Sequence, residues 1–88
     1  MTNIKTVLNH MKETDLGQFL ALEMVAEITI KREDKGLSQR ALAELSGVPQ
    51  KTISRIESGL EIPQFDTIGK LMQALGCVPK ITFEYPNE

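Results

Sequence analysis

Apolar residues recur with a helical period along most of this 88-residue chain. The first repeat predicts a helix over residues 3–12, because its apolar positions follow the i, i+3, i+4, i+7 spacing of one helix face. Its apolar residues are Ile4, Val7, Leu8 and Met11. A longer helix is predicted from Asp15, a favourable N-cap with Gln18 three positions later, to about Lys35, where Gly36 can end it.

A short third helix is predicted between Ser38 and Gly47. Ser38 is a favourable N-cap, and Gly47 can adopt the left-handed conformation that often ends a helix. Leu42 and Leu45 are expected to point towards the core. Only a tight turn then separates this helix from the next one.

A fourth helix is predicted from Pro49, whose fixed φ suits a first helical turn, to about Ser58. Helical spacing puts Ile53 and Ile56 together on its inner face. Its outer face is polar and consists of Gln50, Lys51, Ser54 and Arg55. A face that only had to be soluble would more often mix Glu with Lys, whereas this helix has no acidic residue before Glu57.

The last two segments have different periods. Helical spacing returns in a fifth segment, which Gly76 can end. Its apolar residues are Ile68, Leu71, Met72 and Leu75.

Residues 80–85 instead alternate between polar and apolar side chains, which predicts a short C-terminal β-strand. Because a lone strand is marginally stable, we expect it to pair with the same strand of a second copy. The alternatives are a tail folded on its own domain or a flexible one.

The composition is typical of one small helical domain. Hydrophobic residues make up 41% of the chain but aromatic residues only 5%, which suits packed helices better than a sandwich or a barrel. The one cysteine, Cys77, excludes an internal disulfide framework and fits a reducing cytoplasm. No apolar run resembles a secretion signal or approaches the ~20 residues of a membrane span. We therefore expect a cytoplasmic protein.

The charge is unevenly distributed along the sequence. The whole chain has a net charge of −2, but residues 31–55 contain six basic and three acidic side chains, a net +3, so the remainder carries −5. A locally basic segment in an acidic chain suits a DNA-binding face together with a second, less basic surface.

The sequence offers little for catalysis or metal binding. His10 is the only histidine, and it is far in sequence from Cys77. One residue of each kind is too few for a zinc site or for a Cys–His nucleophile pair. We therefore expect no enzymatic activity, no metal and no cofactor.

A helix, a tight turn at Gly47 and a second helix with a polar outer face together fit a DNA-reading helix-turn-helix. Residues 28–76 resemble the Cro/cI, or XRE-type, helix-turn-helix family. The matching pieces are Arg32, KGLSQRALAELSGVPQKTISRIESG from Lys35, Pro63 and TIGKLMQALG from Thr67. The five helices predicted from spacing, together with this resemblance, indicate an all-α, lambda-repressor-like domain, to which the predicted C-terminal strand is added.

The resemblance also implies which residues bind DNA. It makes residues 49–58 the recognition helix, with Gln50, Lys51 and Arg55 contacting bases, Ser54 on the same face and Thr52 nearer the DNA backbone. These residue types match the base edges of the major groove, because Gln can bind adenine and Lys or Arg can bind guanine.

Three further positions are implied to lie near phosphates. Ser38 and Gln39 open the helix before the recognition helix, where backbone N–H groups can also grip a phosphate. In relatives, an arginine matching Arg32 pairs with a glutamate matching Glu57 and faces a phosphate. Two departures from the family pattern are Lys31, where leucine is common, and Gln64, which replaces the usual Ser or Thr cap.

These observations lead to a functional hypothesis. We expect a dimeric, sequence-specific repressor that places two recognition helices about 34 Å apart on a palindromic operator. The expected parts are a helical extension at 1–19, the helix-turn-helix domain at 20–77 and a strand and tail at 78–88.

The sequence also leaves other functions open. The short domain, the extension, the acidic remainder and the tail resemble antitoxins of the HigA and HipB kinds, which bind a cognate toxin and repress their own operon. The alternatives are a phage-like or housekeeping regulator without a toxin, and a protein-binding adaptor on the same fold. The extension could instead simply pack on the rest of the domain.

Overall fold

The computed structural model describes residues 15–85. Within this range the chain folds into four α-helices: α1 (Leu16–Asp34), α2 (Gln39–Ser46), α3 (Gln50–Glu57) and α4 (Phe65–Leu75). The predicted helix at 3–12 lies outside the described residues. No helix within residues 15–85 combines the length and the apolar content needed to span a bilayer.

The prediction of five helices with a C-terminal β-strand is wrong for the part of the chain that the structure describes. That part has four helices, and residues 77–85 form neither helix nor strand. The alternating side chains of Ile81, Phe83 and Tyr85 are 61%, 94% and 96% exposed. Alternation is a local pattern, but a strand also needs a neighbour for its backbone N–H and C=O groups. Residues 15–85 contain no strand that could be this neighbour.

Hydrogen bonds at both ends of α1 explain where it starts and stops. The Asp15 carboxylate accepts from the backbone N–H groups of Gly17 at 2.9 Å and Gln18 at 3.3 Å, which confirms the predicted N-cap. At the other end Gly36 has φ +68°, and the N–H of Leu37 donates to the carbonyl of Arg32 at 3.1 Å. This left-handed residue ends the helix and turns the chain towards α2.

The core lies between the four helices, where α2 packs against α3 and α4, and α1 packs against the same two helices. It consists of Ile28, Leu42, Val48, Ile53, Ile68, Leu71, Met72 and Leu75. All four apolar positions predicted for the last helix are buried. Gln64, at the start of that helix, makes no side-chain capping bond.

Leu45 departs from the prediction, because its side chain is 61% exposed whereas Leu42 is fully buried. Ala43 and Ser46 are partly buried, so the inner face of α2 is centred between Leu42 and these two residues. At about 100° per residue, Leu45 falls on the opposite side of Leu42 and therefore faces outwards.

Replacing Leu42 with alanine should lower the free energy of unfolding by about 2–5 kcal/mol, because it leaves a cavity at the centre of the core. Leu45→Ala is the matched control on the same helix and should change stability by less than about 0.5 kcal/mol. Denaturant unfolding of both variants measures the difference. Equal losses for the two variants would contradict this packing.

Candidate nucleic-acid interface

The turn between α2 and α3 is short and anchored. Gly47 has φ +79° and its N–H donates to the carbonyl of Ala43 at 2.9 Å, which ends α2 in a left-handed conformation. The next residue, Val48, is only 5% exposed, and its N–H donates to the hydroxyl of Ser46 at 3.1 Å. The turn is thus attached to the core, so the angle between the two helices is fixed by packing.

The two sides of α3 differ as the sequence predicted. Ile53 and Ile56 are each 1% exposed and attach the helix to the domain. The exposed side chains are Gln50, Lys51, Ser54 and Arg55, whereas Thr52 is half-buried. An α-helix with such an outer face has the size and the donor groups to enter a major groove.

An ion pair joins α1 to the end of α3. The Nε and Nη2 atoms of Arg32 donate to the two carboxylate oxygens of Glu57 at 2.8 and 2.9 Å. The Nη1 atom of the same guanidinium donates to the carbonyl of Leu37 at 2.7 Å. The side chains of Arg32 and Glu57 are only 12% and 9% exposed. The structure therefore confirms the pair, and the fork geometry fixes α3 relative to α1.

The hydrogen bonds that Arg32 donates to Glu57 also raise the pKa of Arg32, against a smaller opposing effect of burial. A raised pKa means that the charged guanidinium is favoured in the folded state. The stabilisation from this shift is present at every pH below the normal arginine range and is lost only in strong alkali.

Gln39 is a third member of this cluster, which sequence reasoning did not reveal. Its Nε2 atom donates at 3.0 Å to Oε1 of Glu57, the oxygen that also accepts from Nη2 of Arg32. The first residue of α2 is thereby linked to α1 and α3. The position of Gln39 as a phosphate contact stays a prediction, with one amide donor already directed at Glu57.

Ser38 is the N-cap of α2, as predicted, because its hydroxyl oxygen accepts from the N–H of Ala41 at 2.9 Å. Lys31, one of the two departures from the family pattern, pairs with Glu27 at 2.9 Å on the surface of α1. Its neighbour Arg32 still reaches Glu57, so the lysine does not disturb the register of the cluster.

A second ion pair lies on the outer side of α3, and helical spacing gave no signal for it. The Nε atom of Arg55 donates to Oε1 of Glu61 at 3.3 Å. Glu61 belongs to the loop after α3, beyond the range in which i, i+3 and i, i+4 rules operate.

The described residues provide no evident metal site. Within residues 15–85, no group of three or more His, Cys, Asp and Glu side chains is placed to hold a metal ion. His10 lies outside the described residues.

Comparisons with known proteins found similarity to one protein family and to named regulators. Residues 28–80 match the model of the family described as "Helix-turn-helix". A protein of Haemophilus influenzae named "Uncharacterized HTH-type transcriptional regulator" is 42% identical over 57 residues, which are 65% of this chain and 58% of that protein. The "HTH-type transcriptional regulator PuuR" of Escherichia coli is 39% identical over 57 residues, which are 65% of this chain and 31% of that regulator.

The chain thus spans 58% and 31% of the lengths of these two relatives. The shared segment is therefore only part of each relative. No solved structure gave a significant match.

Arg32→Ala should lower the free energy of unfolding by about 2–3 kcal/mol, because it leaves the partly buried Glu57 carboxylate with fewer donors. Thermal or denaturant unfolding measures this loss. The control is Arg40→Ala, whose pair with Glu44 spans 3.6 Å between side chains that are 79% and 72% exposed. The control should change stability by less than about 0.5 kcal/mol, and similar losses in the two variants would contradict a bracing role for Arg32.

Proposed function

Because this chain belongs to the helix-turn-helix family of the XRE type, we propose that it is a sequence-specific DNA-binding transcriptional repressor. The observation that carries this proposal is the division of α3 into a buried face and an exposed face. Ile53 and Ile56 hold the helix on the core, while Lys51 and Arg55 face outwards. Such a helix can enter the major groove without any loss of core packing.

The proposed base contacts follow from the exposed side chains of α3. Gln50 can donate to and accept from adenine, and Lys51 and Arg55 can reach the two acceptors of guanine. Ser54 lies between them on the same face. Thr52 is half-buried and is assigned to the DNA backbone at the edge of the groove.

The proposed phosphate contacts lie around the first turn of α2. Ser38 and Gln39 open this helix, whose N-terminal N–H groups favour an anion. Arg32 donates one N–H from each of its three nitrogens, two to Glu57 and one to the carbonyl of Leu37, and a guanidinium has five donors. Two N–H groups of Arg32 are therefore left for a phosphate. These contacts fix register, and repression would follow when the bound protein occludes a promoter.

Replacing both Lys51 and Arg55 with alanine should reduce the preference for the operator over unrelated DNA by on the order of 100-fold, because each guanine contact adds discrimination. The operator is first selected from the DNA upstream of the gene or from a random duplex library. Affinities are then measured at several salt concentrations, since phosphate contacts depend on salt.

The control for this prediction is Lys70→Ala with Lys80→Ala, which removes the same charge from α4 and the tail. It should weaken binding to operator and unrelated DNA by a similar factor. A Lys51/Arg55 variant that protects the same operator with undiminished preference in footprinting would refute the assignment.

We also propose that two copies bind together on a palindromic operator, although not through a C-terminal strand. The support is an exposed apolar groove between α4 and the tail, where Phe65, Val78 and Ile81 are 80%, 89% and 61% exposed. A surface of this kind on a small domain marks an interaction site. A second copy would cover it and place a second α3 against the next turn of DNA.

Sedimentation measurements should therefore give the mass of a dimer, and Val78→Glu with Ile81→Glu should give a monomer that binds the operator more weakly. Leu22→Glu is the control, since Leu22 is an exposed leucine of α1 (46%). A monomeric wild-type protein with full operator affinity would eliminate the dimer.

An antitoxin role stays a prediction from the sequence. Its motivation was the segment 1–19, of which residues 1–14 lie outside the described residues. It would be supported if the product of a neighbouring open reading frame formed a stable complex with this protein on co-expression. Failure of the two proteins to associate would contradict it. A phage-like or housekeeping regulator without a toxin is the remaining alternative.

A purely protein-binding adaptor is disfavoured. Its α3 would be expected to present an acidic or apolar outer face. The side chains of Lys51 and Arg55 give this face the opposite character. We place the site of action in the cytoplasm, where a regulator of this kind meets DNA.

A further inference from the structure

The loop after α3 brings an acidic side chain to the side of the domain that is assigned to DNA. Glu61 accepts a hydrogen bond from Nε of Arg55 at 3.3 Å. The side chains are 42% and 47% exposed, so both remain open to solvent. Arg55 is one of the two cations assigned above to base reading, whereas Glu61 has not yet been given a role in DNA binding.

Backbone hydrogen bonds fix the position of Glu61. Gly59 has φ +80°, and its N–H donates to the carbonyl of Ile56 at 3.1 Å. The N–H of Leu60 donates to the carbonyl of Arg55 itself at 2.9 Å. The chain therefore folds back over the last turn of α3 and places Glu61 alongside Arg55.

We propose that Glu61 is a specificity-determining residue that positions Arg55 for guanine, an inference that rests on the proposed DNA-binding function. The carboxylate occupies Nε and so leaves Nη1 and Nη2 at the end of the planar guanidinium. These two nitrogens match the O6 and N7 acceptors that guanine presents in the major groove. Arg55 then binds guanine end-on, with its side chain already oriented.

Stability alone does not account for this pair. Exposed ion pairs contribute little to folding because water screens them and long side chains lose freedom. In the groove, however, an arginine that is already oriented loses less freedom on binding. The carboxylate also repels phosphates, so it disfavours arrangements in which Arg55 leaves the base for the DNA backbone.

The test compares Glu61→Gln with Glu44→Gln, which removes the same charge from an exposed ion pair on α2. Binding is measured to the selected operator and to duplexes in which only the guanine read by Arg55 is changed. Glu61→Gln should reduce discrimination at that base pair by roughly 3- to 10-fold, and Glu44→Gln should leave it unchanged. Thermal melting checks that both variants remain folded.

Arg55→Ala completes a double-mutant cycle. In this background Glu61→Gln should have no further effect on discrimination, because its role acts through Arg55. With Arg55 present, Glu61→Asp should keep part of the preference that Glu61→Gln loses. The inference is overturned if Glu61→Gln and Glu44→Gln change discrimination equally, or if the effect of Glu61→Gln persists in the Arg55→Ala background. It is also overturned if the altered preference is for a cytosine that the Glu61 carboxylate contacts directly.

Different binding results would contradict the proposed function and this inference. A wild-type protein that binds all duplexes equally overturns the proposed function together with this inference. A wild-type protein that prefers its operator, with a Glu61→Gln variant that keeps the full preference, overturns the inference alone.

Discussion

The bidentate pair between Arg32 and Glu57 is the constraint on which the geometry of the candidate interface depends. It joins the C-terminal part of α1 to the last residue of α3, and Gln39 extends it to the first residue of α2. Partly buried ion pairs add little stability compared with apolar packing, but removing one partner is costly. Their main effect is on orientation, so this cluster fixes how three helices meet at the surface assigned to DNA.

The elements defined by local rules could be predicted from the sequence. Capping side chains located the starts of α1 and α2, and helical spacing separated the buried from the exposed face of α3. The Arg32–Glu57 pair was expected only through the family resemblance, since its members are 25 positions apart. Local patterns identified neither partner of this pair.

Other features that depend on neighbours elsewhere in the chain could not be predicted from local patterns. The tail alternates like a strand, yet residues 15–85 offer it no strand to pair with. Leu45 has helical spacing from Leu42, but the direction of the core was set by α4 and not by α2. Glu61 reaches Arg55 only because the chain reverses at Gly59. Each of these features depends on tertiary contacts, whereas the presence of the helices could be predicted from the spacing of apolar residues.

The separation of the two faces of α3 has a consequence for how such a domain can change over time. Ile53 and Ile56 seal the helix to the core, and the side chains at 50, 51, 54 and 55 lie outside it. Substitutions at those outer positions therefore leave the buried side chains of the core in place and have little folding cost. One scaffold could acquire new target sequences by a handful of surface exchanges, which makes it a natural starting point for paralogues with divergent binding sites.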